Sequence, residues 1–277
     1  MPLVACAAVL ACLLFARPAL AGQPRDYMLT IQPPGTFLLL DYFGTGGQAT
    51  IDNRTAIYGD SNDLTLGASF VPAYPLAEAN AHADLRILFL SLGGTLAYRT
   101  VWRDLTFPAG KGGRYCEDCD RGARRARDSI FGSTAGSDQF GYAEVRARLL
   151  LPFNDHLVGD ATGALRYEAR QDRSFDWYYT SVYDRGVLGR FEAELFVKDR
   201  RWGGIGPYLQ LLSLPRAGHH EAQLAVGFNA VTRLGLVSRN DLLFLTFLIR
   251  PGDAMYGQHS YFAPIRSLLI YRVILEL

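Results

Sequence analysis

Gly141-Tyr142-Ala143-Glu144-Val145-Arg146-Ala147-Arg148-Leu149-Leu150-Leu151 decides the fold. Gly141, Ala143, Val145, Ala147, Leu149 and Leu151 share one face, and Glu144, Arg146 and Arg148 share the other. A period of two is that of a strand whose faces meet different surroundings. Pro152-Phe153-Asn154-Asp155 ends the segment as a turn, and the same design then recurs twice. Leu157, Gly159, Ala161, Gly163, Leu165 and Tyr167 alternate with Asp160, Thr162, Arg166, Glu168 and Arg170. Val187, Gly189, Phe191, Ala193, Leu195 and Val197 alternate with Arg190, Glu192, Glu194 and Lys198.

Outward from these, the pattern predicts strands over 206–214, 222–232, 241–250 and 265–277, and upstream over 64–71 and 83–102. Residues 153–155, 200–203 and 238–240 read as tight turns, whereas 103–137, 171–181 and 251–264 read as long loops. No stretch is long and apolar enough to cross a bilayer as a helix. The strands are long and the charged faces mix signs closely, which argues against a soluble barrel or sandwich with its charges outward. Hydrocarbon tolerates strands only when the sheet closes on itself. The alternating Leu269, Tyr271, Val273, Leu275 and Leu277 run to the last residue.

On these segments the chain resembles bacterial outer-membrane β-barrels as a class, over residues 35–277. The resemblance implies an all-β, closed antiparallel transmembrane barrel with short periplasmic turns and long extracellular loops, the largest over 103–137. The terminal strand resembles the assembly signal of such barrels, with Leu277 where an aromatic is usual. It implies the barrel-assembly machinery as a partner, and outer-membrane lipid and lipopolysaccharide as surroundings. Both termini in the periplasm require an even strand number. With Phe37 to Phe43 added, the count is ten. It is twelve if Ala49 to Tyr58 and a further segment, such as Tyr27 to Gln32, also pair.

Residues 1–21 read as a cleaved signal peptide: a short apolar run, then Arg17-Pro18 and the small-x-small Ala19-Leu20-Ala21. Val9-Leu10-Ala11-Cys12 also resembles a lipobox, but Leu13-Leu14-Phe15 continues the apolar run past the cysteine. Residues 22–34 then form an N-terminal periplasmic segment. The chain carries 28 Lys+Arg and 27 Asp+Glu, so without Arg17 the mature chain is neutral and gives no argument for nucleic acid.

Glu144, Arg146, Arg148, Asp160, Arg166, Glu168, Arg170, Arg190, Glu192, Glu194 and Lys198 are expected to face the lumen as a charge-paired network. Ions held away from water need partners, and pairing across a barrel this narrow leaves little free cross-section. Segments apolar on both faces (242–245, 268–271 and 87–92) call for apolar packing inside, which residues 27–43 or a lipid-like ligand would supply.

Cys116 and Cys119, flanked by Glu117, Asp118 and Asp120, are expected to pair as a disulfide in an oxidising compartment. Metal binding is the alternative, but zinc wants four ligands and no second Cys pair or His lies near. No metal and no cofactor is expected. Arg121, Arg124, Arg125 and Arg127 follow, a basic run suited to lipopolysaccharide phosphates or balanced by neighbouring acids. Phe175 to Tyr179 with Tyr183 read as the aromatic girdle of the membrane interface.

A hydrolase needs a nucleophile with an oriented base. His219 and His220 in an outer loop, and His259-Ser260 with Asp253, are the residues available, and His82 and His156 fall near turns of the other rim. The His-x-Ser-Asn-Gly pattern associated with lipid-hydrolase barrels is absent, so no catalytic residue is assigned. The leading reading is a non-enzymatic barrel with a plugged lumen and a structural or surface-interaction role. Transport of a small or hydrophobic solute is second, and a lipid-modifying hydrolase third.

Overall fold

The computed structural model describes residues 34–44, 46–58, 62–74, 76–104, 136–169, 174–176, 181–183, 185–199, 203–216, 219–238, 241–250 and 265–277. The signal-peptide and lipobox readings, residues 22–33, Arg170, the cysteine pair with its basic run, and Asp253, His259 and Ser260 lie outside them.

The strands are β1 Gly35–Phe43, β2 Gly46–Ala56, β3 Asn62–Ala73, β4 Leu76–Ile87, β5 Leu90–Asp104, β6 Gly136–Pro152 and β7 Leu157–Glu168. After a small hairpin, β8 Ser174–Asp176 and β9 Ser181–Tyr183, come β10 Gly186–Asp199, β11 Gly203–Arg216, β12 His219–Arg233, β13 Leu242–Ile249 and β14 Ile265–Glu276. All but β8 and β9 join one closed antiparallel barrel of twelve strands, sealed where β1 pairs with β14. Closure leaves no sheet edge with unpaired amides, the condition for strands in hydrocarbon.

Twelve strands replace the expected ten. Phe37 to Phe43 and Ala49 to Tyr58 both contribute strands, β1 and β2. The remaining extra strand comes from within 83–102, expected as one strand, where the chain turns at Leu88-Phe89 between β4 and β5. The turn lacks the Gly or Asn of a two-residue hairpin, and Leu88 adopts φ 55° in their place. Both are exposed at the rim, as are Ile87, Leu90 and Leu92, so the apolar side chains of 87–92 line no part of the lumen.

Side chains sort cleanly between the two faces. Ile51, Leu66, Leu96, Val145, Leu165, Phe191, Leu195 and Val226 are exposed, whereas Asp41, Arg54, Asp63, Glu78, Arg99, Glu144, Arg166 and Glu168 are buried. In a closed barrel the buried face is the lumen, so the charges point inward and the apolar belt outward. Apolar outside, charged inside and without an edge, the molecule has the construction of a bacterial outer-membrane β-barrel.

Chain direction puts both ends of the barrel at one rim, together with the connections 57–61, 88–89, 153–156, 200–202 and 234–241. The long connections 105–135, 169–185 and 250–264 leave the opposite rim, which also carries the two-residue connections 44–45, 74–75 and 217–218. His219 and His220 belong to that last hairpin, opening β12 opposite Arg216 and Pro215. They are strand residues, not members of an outer loop.

Candidate functional site

The lumen is built in layers. Near the rim that carries the termini, Phe37, Leu39, Phe196, Val231, Leu242 and Ile274 pack into one buried cluster with Phe244 against it. These side chains come from β1, β14, β13, β12 and β10, and β1 and β10 lie five steps apart in the ring of twelve. The cluster therefore lines nearly half of the wall around the lumen, with Phe37 and Phe196 at its two ends almost fully buried. Gly204 makes room for Phe196, whose ring occupies the space a Cβ there would need. Apolar packing was expected inside this part of the wall, and Phe37 and Leu39 supply it as residues of a barrel strand.

The middle layer is polar and linked across strands. Glu78 on β4 binds Arg99 on β5 at 2.6 Å and accepts the Tyr142 hydroxyl from β6 at 2.6 Å. The Tyr142 ring lies between two guanidiniums, Arg99 at 5.3 Å and Arg166 at 4.3 Å from its centroid. Arg166 on β7 donates to Glu144 at 2.9 Å, and Arg190 on β10 reaches the other Glu144 oxygen at 3.2 Å. One network thus joins five consecutive strands of the wall, β4 to β7 and β10. Charge-assisted bonds in a site of low dielectric are stronger than their surface counterparts, and a partner removed leaves its mate without compensation.

Smaller groups flank this network. Arg146 donates to Asp84 at 3.0 Å and to Thr95 at 2.8 Å. Arg148 pairs with Asp160 at 3.0 Å. Glu192 accepts from Tyr208 at 2.6 Å and Gln210 at 2.8 Å, and Glu194 accepts from Asn229 at 2.7 Å. Glu168 stands 3.6 Å from Arg166 and accepts the Tyr183 hydroxyl at 3.1 Å. Lys198 is half-buried near the end of β10, where its amide donates to the His156 carbonyl at 2.8 Å.

The N-terminal third adds lumenal pairs that the sequence reading missed. Arg54 binds Asp63 at 2.7 Å, and Asp63 also pairs with Arg86. His82 meets Asp52 at 3.0 Å from the middle of β4, not from a turn. Asp41 and Arg272 are direct register partners, joined at 2.6 and 2.7 Å across the closing seam. A signal was present: Ala77, Ala79, Ala81 and Ala83 alternate with Glu78, Asn80, His82 and Asp84. Alanine gives little hydrophobic contrast, so the period of two is faint there.

At the opposite rim the β8–β9 hairpin contributes Tyr183, which is 1% exposed and packs on Leu188, Leu212 and Leu214. Tyr183 therefore leaves the expected interfacial girdle and tucks into the barrel mouth, held by its bonds to Glu168. Nearby, Val101, Phe140 and Tyr142 form a third apolar cluster.

No protein-family model matches the chain, and no curated protein matches it in sequence. Among solved structures it is similar to the NanC porin at 7% identity and TM-score 0.39, over 88% of this chain and 99% of that one. It is similar to the KdgM porin at 8% identity and TM-score 0.36, over 86% and 95%. It is also similar to the β domain of the Bordetella autotransporter BrkA at 11% identity and TM-score 0.40, over 87% and 96%.

Proposed function

We propose that this outer-membrane barrel keeps its lumen shut and serves as a structural or surface-interaction protein, without catalysis. The rim carrying the termini faces the periplasm, and the rim bearing the three long connections faces outward, as in barrels of this construction. The observation that carries the reading is the apolar layer from Phe37 to Phe196. Beyond it the lumenal acids and arginines bind one another, so few charges are left to attract a permeating ion. Twelve strands also fall between the eight whose interior side chains fill and the roughly 16–18 of open porins.

A second reading, solute passage, has one observation in its favour. Ser69 Oγ, Gln210 Oε1 and Asn229 Oδ1 are buried in the lumen wall without a protein hydrogen-bond partner. They give water or a polar solute a place to bond.

Single-channel recording in planar bilayers decides between the two. The closed-lumen reading expects no steady conductance from the wild-type protein, and steady openings from the Phe37→Ala/Phe196→Ala double variant. Steady wild-type conductance altered by Glu192→Gln or Glu194→Gln would overturn it and favour passage.

A further inference from the structure

We infer that the outer wall holds one phosphorylated lipid, its acyl chain in a groove on β6, β7 and β10 and its phosphate on Arg185. This rests on the membrane placement and orientation proposed above.

The groove lies on the lipid-facing side, open along its length, and offers about 600 Å³ of space. Register accounts for its shape. Ala147, Gly163 and Phe191 stand side by side in one row, and Val145, Leu165 and Gly189 stand in the next. The small residues therefore run diagonally, Ala147 and Gly163 into Gly189, walled by Val145 and Leu165 above and Phe191 below. The lining is almost wholly apolar. Its volume is that of about twenty water- or methylene-sized groups at roughly 30 Å³ each, the scale of an acyl chain.

A cation stands on the outward side of the groove. Arg185 lies four residues before Gly189, just ahead of β10 at the outward rim, about 13 Å away at strand rise. It is exposed and donates from Nε and Nη2 to the Tyr167 hydroxyl at 3.3 and 3.0 Å. Among the described residues no carboxylate pairs with it. Guanidinium suits phosphate in a bidentate fork, and Tyr167 fixes the direction it presents. At the outward rim, the lipid that combines acyl chains with phosphate is lipopolysaccharide. Its phosphorylated anchor is the occupant proposed.

The test is native mass spectrometry of the full-length protein in detergent, mixed with diphosphorylated lipid A. Gly163→Leu fills the groove at a position where a Cβ meets nothing within 4 Å. Arg185→Gln removes the charge and leaves the groove. The wild type is expected to retain one lipid A. Gly163→Leu is expected to lose it, and Arg185→Gln to retain several-fold less. Dephosphorylated lipid A should bind the wild type as weakly as lipid A binds Arg185→Gln. Equal retention by all three proteins overturns the site. So does displacement by inorganic phosphate, which marks a bare anion site, or a wild-type dimer that Gly163→Leu dissociates, which makes the occupant a second copy. A heat-modifiable electrophoretic band from each variant shows that the barrel has formed. Its absence in the wild type counts against the membrane barrel itself, separately from this site.

Discussion

Asp84 on β4 and Arg146 on β6 form an ion pair across the strand between them, directly over Gly93. The three are register neighbours, and a Cβ on Gly93 would run into the Asp84 carboxylate. Asp52 and His82 repeat the arrangement over Gly67. In this barrel a lumenal glycine lets side chains two strands apart bond.

Gly93→Ala should therefore break the Asp84–Arg146 pair. Both side chains keep about a quarter of their surface exposed, which moderates the loss to ~1–2 kcal/mol. Gly163→Ala, on the outer face with open space around its Cβ, should change little. Urea unfolding midpoints of the two variants in detergent measure the difference.

Glu144 anchors both Arg166 and Arg190 and is 6% exposed. Glu144→Ala removes the carboxylate that Arg166 and Arg190 share, leaving Glu168 and Glu192 at 3.6 and 3.9 Å as longer contacts, and should cost about 3 kcal/mol. Asp160→Ala frees Arg148, half of whose side chain is already exposed, and should cost only ~1 kcal/mol. The same unfolding assay separates them, and equal losses would show that burial does not set the strength of these pairs.

Asp241, in the turn before β13, gives the acid limb a sign. Burial pushes its carboxyl up, but donors outweigh burial: the hydroxyls of Ser238 and Tyr271 and the amides of Ser238 and Val237 hold its pKa below the ordinary carboxylate value. The Tyr271 hydroxyl stands at 2.6 Å. Its stabilisation is present above the unfolded pKa of roughly 3.9 and is lost as pH falls through the lower folded value. Wild type and Asp241→Asn should differ in unfolding midpoint at neutral pH and converge in acid.

Leu88 sits at the first central position of a two-residue hairpin with φ 55°, a place where glycine is unstrained. Leu88→Gly should stabilise the barrel by about 1 kcal/mol, since left-handed backbone costs ~1–2 kcal/mol for a residue with a Cβ. A midpoint that falls instead would mean that the exposed Leu88 side chain contributes more than its backbone strain.

Tyr183 ties the β8–β9 hairpin to the mouth. Tyr183→Phe keeps the packing on Leu188, Leu212 and Leu214 and loses the bonds to Glu168, an expected ~1.5–3 kcal/mol for a hydrogen bond to a charged group. Limited proteolysis at the hairpin should then be faster than in the wild type, and faster still in Tyr183→Ala.

Legibility followed contrast. In β6 and β10 large apolar residues such as Val145, Leu149, Phe191 and Leu195 stand among the outward positions and full charges fill the others, so both faces could be read directly. In β4 alanine blurs the outer face, and its lumenal partners went unread. Leu88-Phe89 hid a hairpin because its residues belong to the apolar pattern on either side, with the backbone accepting strain in place of glycine. Tyr183 was misread for another reason. An aromatic near a strand end suits an interface equally well from either side of the wall, and only the fold of the hairpin chooses.

The period of two, the sign of each face and the all-β class belong to the sequence alone, because side chains alternate across a strand whatever it later pairs with. The choice of strands that seal the ring does not. Asp41 and Arg272 are 231 residues apart in the chain and direct neighbours across the seam. That seam, the count of twelve and the apolar layer from Phe37 to Phe196 depend on which strands become neighbours. Local pattern is blind to that choice, since it is made by pairing between segments far apart in the chain.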